Sequence, residues 1–554
     1  MNFKNYLKEL KRRNVVRAGL AYLVLAWLLI QVLSTLLPTF NAAHFFKPTV
    51  IILIIGFPIW IIFSWIFELT PEGIKKTPDI VINKITDLAL VDNRKSIAVL
   101  PLYNLTGNPD QDYLIDGMHE TLNFHLGKIS ALRVISTRST LRYKNNNQLS
   151  LQEIAKDLDV SAIVEGSVLN SGDSIHIQLK LIEAFPKEHQ LWSGEYSQDF
   201  GHVLTMENQI IQDITTKMKV NLKPEEASEL AKKPQIDPEA YKAYMQGVFY
   251  WNKLTSESLD TALKYFEIAR DIDSKYALAY AGIANVWVGK VQLGLASYVE
   301  ALPKIEEAVE KALTLDSTSA EIYETKAWLS WDRWNFEETV VAYRKAIQLN
   351  PNFSRARAYF SHYLVSLNKP DEAMQHMETA LKLDPFNSLY KAIYGMNLNF
   401  TRQYDKAIDI FESALKTSPH DLLALSNLRT SYHLKGMYTK ALEVWKAYYN
   451  AKNDKEAVDV LTSGEAEGGY QKALEELAEL LIDRSNSTFV TPWQIATIYT
   501  RAGHRDNALK WLDKAFKEHD TNMPYIAVDP IFDILKDDPR FSNLLKKMNL
   551  SVEN

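Results

Sequence analysis

The residues whose chemistry would matter most stand close together early in the chain. His119-Glu120 is followed by His125, and Asp110, Asp112, Asp116 and Glu120 bring carboxylates into the same stretch. A helical zinc pair needs histidines four apart, so that both imidazoles face the metal. The position four beyond His119 is Asn123. Six residues turn a helix by about 600°, so His119 and His125 point to different faces. They read as surface histidines or as core histidines satisfied by hydrogen bonds. The carboxylates read as partners for the positive end of a helix, with a cation or small-ligand loop as the alternative. Phosphate chemistry fares no better. Gly282 and Gly289-Lys290 fall in helical sequence, and Gly464-Glu-Ala-Glu-Gly468-Gly469 follows no strand. Neither matches a Walker loop or a dinucleotide fingerprint. The chain has no cysteine, which removes thiolate nucleophiles, disulfides and cysteine metal sites together. With no G-x-S-x-G elbow to raise a serine nucleophile, the expectation is a protein that is not an enzyme, with no catalytic residues, metal or cofactor.

The strongest signal in the sequence is a period. Ala346-Ile-Gln-Leu-Asn-Pro351, Ala380-Leu-Lys-Leu-Asp-Pro385 and Ala414-Leu-Lys-Thr-Ser-Pro419 recur at a step of 34, and Ala373, Ala407 and Ala441 keep the same step. A fixed period of this size predicts a repeat array, whose units must stack to bury their apolar faces. Within one unit, Gly395, Ala407, Phe411, Ala414 and Pro419 place small residues where two helices approach, an aromatic in the gap, and a proline to end the second helix. Thr339, Tyr343, Ala346 and Pro351 repeat the pattern, as do Ala373, Met377, Ala380 and Pro385. These residues resemble the tetratricopeptide repeat family. Earlier in the array, Tyr241, Tyr244, Gly247, Ala262, Phe266 and Ala269 fit one unit, and the step from Ala269 to Ala312 is 43, which predicts an insertion near Leu293–Ala301. The Gly464–Gly469 stretch breaks the phase, and Trp493, Tyr499, Ala508, Leu512 and Ala515 resume it. About six to seven units are expected, above the ~3 that stability requires. A tail rich in Asp-Pro, from Asp529 to Leu545, caps the last apolar face.

Length and composition fit several folded domains: 554 residues, 47% hydrophobic and 23% charged. A net charge of −6 supplies no basic field, so no nucleic-acid partner is expected. Two uncharged runs, 18–37 and 48–67, are each 20 residues long, enough for a helix to cross a ~30 Å hydrocarbon core. Lys4, Lys8, Lys11, Arg12, Arg13 and Arg17 precede them, only Lys47 lies between, and Lys75, Lys76, Lys84, Arg94 and Lys95 follow. The positive-inside rule then puts both termini in the cytoplasm, with the lipid bilayer contacted through residues 18–67.

Between these runs and the array, Ser96–Pro101, Leu132–Ser136, Ala162–Leu169, Ser174–Leu181 and Gln190–Ser197 read as strands, and Tyr113–Leu126, Leu151–Leu158 and Val203–Met218 as helices. That order implies a mixed sheet with helices packed on it. Ser96-Ile-Ala-Val-Leu-Pro101, Asn104-Leu-Thr-Gly-Asn-Pro-Asp110, Asp116-Gly117, Leu132-Arg-Val-Ile-Ser136, Val164-Glu-Gly-Ser167 and Leu191-Trp192 resemble the α/β domain called TolB-like. Glu9-Leu-Lys-Arg-Arg-Asn14 and Phe67-Glu-Leu-Thr-Pro-Glu-Gly73 resemble the membrane anchor found with it. The resemblance implies a bacterial inner-membrane, multi-pass protein. Some relatives carry a nucleotide cyclase or a winged-helix domain ahead of these parts; with about 17 residues before the first run, neither is expected here.

The expected fold class is thus a multidomain membrane protein: a two-helix transmembrane hairpin (1–76), a linker (77–94), a TolB-like α/β domain (95–222), a second linker (223–236), an all-α tetratricopeptide solenoid (237–520) and a capping segment (521–554). The family register implies that the first helix of each unit lines a concave groove. Carried over residue by residue, it gives Glu324, Trp328, Trp331, His362, Met396, Asn399 and His433 as candidate binding residues. The carboxylate grip of some relatives is missing, since Glu324, Ala358 and Ala392 and Trp328, His362 and Met396 stand at its positions. The expected function is a membrane-anchored scaffold that binds a protein or peptide through the array, with the α/β domain as a second interaction module. The alternative is a sensor whose α/β domain binds a small ligand.

Overall fold

The computed structural model describes residues 26–34, 46, 48–50, 53, 56–57, 67–70, 73–76, 94–144, 149–172, 174–232, 236–293, 295–488 and 490–550. The chain divides into two compact units, Met1–Leu90 and Val91–Asn554. In the first, residues 26–34 are helical and two short strands, β1 (Phe67–Thr70) and β2 (Gly73–Lys76), pair antiparallel with Phe67 opposite Lys76. Among the described residues no helix is long and apolar enough to cross a membrane. This corrects the expected transmembrane hairpin and the multi-pass localisation drawn from it. Phe67, taken as the end of the second span, is the first residue of a strand. Much of 18–37 and 48–67, and the Glu9–Asn14 motif, lie outside the described residues.

The second unit opens with a mixed sheet. Strand β3 (Lys95–Val99) is apolar on both faces and takes a central place, parallel to β5 (Leu132–Val134) on one side and to β6 (Ala162–Ser171) on the other. A two-residue strand, β4 (Tyr103–Asn104), also pairs with β6. Strands β6, β7 (Ser174–Glu183) and β8 (His189–Asp199) form an antiparallel meander. Helices α1 (Asp112–Gly127) and α4 (Val203–Lys217) cover one face through Leu114, Met118, Leu122, Ile210 and Ile214. The short helices α2 (Thr137–Leu141) and α3 (Leu151–Asp157) lie between β5 and β6, and α5 (Pro224–Leu230) leads to the array.

Eight antiparallel helix pairs follow among the described residues: α6 (Pro238–Trp251) with α7 (Ser256–Ile272), α8 (Ala277–Gln292) with α9 (Tyr298–Leu315), α10 (Ala320–Asp332) with α11 (Phe336–Leu349), α12 (Ser354–Ser366) with α13 (Pro370–Leu383), α14 (Ser388–Phe400) with α15 (Tyr404–Thr417), α16 (Leu422–Leu434) with α17 (Tyr438–Ala451), the two halves of α18 (Lys455–Arg484), and α19 (Pro492–Ala502) with α20 (Arg505–Lys517). The backbone leaves helical geometry at Gly468 and Gly469, where φ reaches +74°. There the chain folds back, so Arg484 closes on Asp454 at 2.6 Å. The insertion is spread over α8, α9 and their loop. These helices run to 16 and 18 residues, against 13 and 14 in the next pair.

The small residues do what close helix packing requires. A Cβ on Gly395 would lie 2.4 Å from the Phe411 ring, so the first helix can approach the second only with glycine there. Trp334, Asn368, Arg402 and Gly436 recur at the same 34-residue step and all have positive φ, 57°, 57°, 62° and 69°. They reverse the chain between the paired helices. Three of the four carry a side chain, at a cost of about 1 kcal/mol or more each.

Two interfaces draw the second unit together. The first joins the sheet to the ends of α11 and α13. Asn352 donates to the carbonyls of Gly127 and Leu132 (2.9 and 3.0 Å) and accepts from the Val134 amide (3.1 Å). Ser139 donates to Asp384 (2.5 Å), and the Ser136 amide donates to the Leu383 carbonyl (2.8 Å). In the second, the chain beyond α20 turns back through two 3₁₀ segments, Met523–Ala527 and Pro530–Leu535, before a last helix, α21 (Pro539–Lys547). Met523, Ile526, Ile531, Phe532 and Leu535 are buried, and Phe532 meets Trp493 edge-on at 5.3 Å. Just beyond α20 the chain also reaches back to the second and third helix pairs. His519 stacks on Trp334 at 4.0 Å and on Tyr298 at 5.9 Å.

Candidate functional site

Each candidate groove residue sits on the first helix of its pair: Glu324, Trp328 and Trp331 on α10, His362 on α12, Met396 and Asn399 on α14, and His433 on α16. They already have partners inside the molecule. Arg355 Nε donates to both Glu324 oxygens at 2.9 Å. Trp331 stacks on Tyr363 at 4.2 Å. Asn397 and Phe400 hold His362, the first by a 2.9 Å hydrogen bond and the second by stacking at 5.5 Å. Asn399 accepts from Ser431 (2.9 Å), and His433 is 3.1 Å from the Tyr470 hydroxyl. Met396 stays half-buried, whereas Trp328 is buried in the packing between units.

Two of these positions, with Phe400 beside them, converge on one ring that was not foreseen. Tyr525, from the tail, lies 6.1 Å from Trp331, 4.8 Å from His362 and 5.8 Å from Phe400. Arg402 secures the same segment from the side through Asp533 at 2.6 Å. Burial shapes the chemistry here. It pushes His362 down to about 4, so the imidazole is neutral at pH 7 and accepts or donates as an uncharged group. It pushes Asp332, at the end of α10, up to about 6, against the Tyr298 hydroxyl, which acts to lower it. The one sequence signal for the tail was its Asp-Pro spacing, and that marks turns, with no indication of where they dock.

The histidines and carboxylates of α1 are also accounted for. His119 is buried, 2.8 Å from the Val99 carbonyl, and burial pushes it down to about 4. His125 turns the other way, to Glu207 at 3.0 Å. Asp116 pairs with Lys144 at 2.7 Å, Asp112 accepts from Asn104 at 2.8 Å, and Glu120, raised by burial, accepts from Thr137 at 2.6 Å. Asp116, His119 and Glu120 line one side of a cavity of about 170 Å³ that Val248, Phe249 and Lys253 of the first repeat close from the other.

The tetratricopeptide repeat family model matches residues 356–387. A Rhizobium meliloti protein named "Putative adenylate cyclase 3" is 28% identical over 251 residues, 43% of this chain and 41% of its own length. The chain therefore spans less than half of that relative. Similar solved structures include YrrB, described as a TPR protein with an unusual peptide-binding site (23% identity, 34% of this chain and 93% of that one, TM-score 0.26). A tetratricopeptide repeat protein from Parabacteroides merdae gives 14% identity, 56% and 100% coverage and a TM-score of 0.30. Yeast Tom70 gives 17%, 56% and 68%, and 0.34. Residues 356–387, with the matching units at 34-residue steps around them, are tetratricopeptide repeats.

Proposed function

We propose that this chain is a non-enzymatic interaction scaffold. Its tetratricopeptide array takes up an irregular peptide segment of a protein partner along the first-helix groove, and the sheet, which resembles a TolB-like domain, is a second interaction module held against the array. One observation carries the reading. Trp331 and His362 of the proposed groove, with Phe400 beside them, contact such a segment of the chain's own, 523–535, through the Tyr525 ring, and an Arg402–Asp533 ion pair flanks it. Aromatic side chains give large contact area at low conformational cost, which suits a surface that recognises short segments. A partner segment of this kind competes with the tail, so the groove opens only where its ligand outbids Tyr525.

The test is in-cell crosslinking of the tagged full-length chain, quantified by mass spectrometry, with Tyr525→Ala to loosen the tail and Met396→Lys to place a charge in the half-buried groove. Partner yield rises with the first change and falls with the second. A partner set unmoved by both would place recruitment elsewhere, on the sheet or the outer helices, and would end the groove reading.

A further inference from the structure

The sheet has one edge short and occupied and the other long and bare. On one side β5 is three residues long, and the array reaches it: Asn352 accepts from the Val134 amide at 3.1 Å. On the other side β8 is 11 residues long, and among the described strands it pairs only with β7. None of its residues is fully buried. Half of the backbone N–H and C=O groups of an edge strand point away from its neighbour, so a long edge is a template for another strand. Folded proteins guard such edges with lysine, proline, an inward charge or a bulge. From His189 to Asp199 there is no lysine, arginine or proline. The inward side chains are aromatic: Trp192 and Tyr196 pack on the core, and Tyr196 donates to Asp213 of α4 at 2.5 Å. The one guard is a bulge near the start, where Leu181 pairs with Trp192 and Ile182 with Gln190, leaving Leu191 extra. From Trp192 to Asp199 the strand is regular.

That regular run is complementary to itself. Opposed residues of an antiparallel pair share a face, so a two-fold pairing of identical strands centres on one residue. The charges choose which. A centre at Glu195 puts that carboxylate opposite its own copy, and a centre at Ser197 puts Glu195 opposite Asp199. Like charges directly opposite are destabilising. A centre at Gly194 brings the bulged Leu191 into the ladder. A centre at Tyr196 avoids both faults. It sets Ser193 opposite Asp199, Gly194 opposite Gln198, Glu195 opposite Ser197 and Tyr196 opposite itself. Each acid then faces a serine hydroxyl that can donate to it, twice over by symmetry. Ser193, Glu195 and Ser197 are all exposed on the outer face. Glu195 also accepts from Gln178 at 3.2 Å, and Asp199 from His202 at 2.8 Å, so both acids are already oriented.

We propose that β8 is a self-association edge. The β8 strands of two copies of this chain pair antiparallel about Tyr196, from Ser193 to Asp199, and join two sheets into one. This deepens the reading of the sheet as a second interaction module by naming its partner. It does not depend on the groove: Tyr525→Ala and Met396→Lys act on the array and leave β8 as it is.

Two measurements on the purified full chain test it. Sedimentation equilibrium gives a concentration-dependent dimer for the wild type. Ser197→Lys faces Glu195 of the other copy and tightens the dimer about fivefold, whereas Ser197→Glu weakens it by a similar factor. Crosslinking then fixes the register. The chain has no cysteine, so any disulfide comes from an introduced pair. Opposed residues lie about 4.5–5.5 Å apart between Cα atoms, within the range a disulfide spans. Glu195→Cys and Ser197→Cys chains, mixed and mildly oxidised, give a covalent dimer that neither gives alone. A monomer at every concentration, a dimer that both charge changes leave unmoved or shift the same way, or a crosslink in one variant alone as strong as in the mixture would each overturn the proposal.

Discussion

The sheet and the C-terminal tail dock on the same repeats with different emphasis: hydrogen bonds lead in the first, beside an edge-on ring pair of Phe124 and Phe353 at 5.6 Å, and rings lead in the second, beside the Arg402–Asp533 ion pair. The sheet is held by side-chain amides and hydroxyls that complete the hydrogen bonding of backbone at its end: Asn352 alone serves Gly127, Leu132 and Val134. The tail is held by rings, with Tyr525 among Trp331, His362 and Phe400. A hydrogen-bonded edge has one register, because a small shift strands several buried polar groups at once. An aromatic socket is tolerant, since offset and tilted geometries differ little in energy. The first interface suits a permanent joint and the second an exchangeable one.

Substitutions can break or sharpen that contrast. The largest effect belongs to Trp331→Ala, which removes the stacked partner of Tyr363 and one wall of the socket; a loss of about 3–5 kcal/mol in denaturant unfolding is expected. Asn352→Ala comes next, at about 3 kcal/mol, because the Val134 amide and two carbonyls lose their partner while buried. Its signature is increased hydrogen exchange at Val134 and the end of α1, with the tail unaffected.

Acid should act on the socket through His362. Buried neutral, it contributes stability that is whole above its unfolded value of 6.5 and is lost as pH falls toward about 4. Asp332, raised to about 6, runs the other way, its contribution being lost as pH climbs from 3.8 toward 6. In His362→Gln, about 2 kcal/mol of the destabilisation between pH 7 and pH 5 disappears, read from midpoints at the two pH values. Tyr525→Ala costs about 1–2 kcal/mol globally, yet it speeds proteolysis of the tail far more than that of the sheet; equal protection of both would erase the distinction. Arg402→Ala is the smallest, under about 1 kcal/mol, since the pair with Asp533 is half in water.

Legibility in the sequence follows the same division. The 34-residue step, the prolines that end α11, α13 and α15, and the glycine break inside α18 were all readable, because a repeat writes its packing rule at fixed spacing. The first helix of each unit was also identifiable, and two of the residues read from it, Trp331 and His362, meet the ring of Tyr525. What the groove contains was not readable. Tyr525 meets Trp331 across almost two hundred residues of chain, and a one-off contact leaves no periodic trace. Hydropathy at 18–37 and 48–67 could not decide a span by itself, and among the described residues no helix meets the requirement. The left-handed turns at Trp334, Asn368 and Arg402 escaped notice because side chains there hide a conformation usually betrayed by glycine.

The stacking of His519 on Trp334 and Tyr298 joins the last helix pair to the second and third. An open solenoid frays from either end, since each unit answers only to its neighbours. Here the last pair is tied back to the second and third, so losing it would also loosen those earlier pairs. Such a molecule melts as a loop rather than unravelling as a thread, and shortening it one repeat at a time would not yield a graded series of stabilities but a sudden collapse at the first cut.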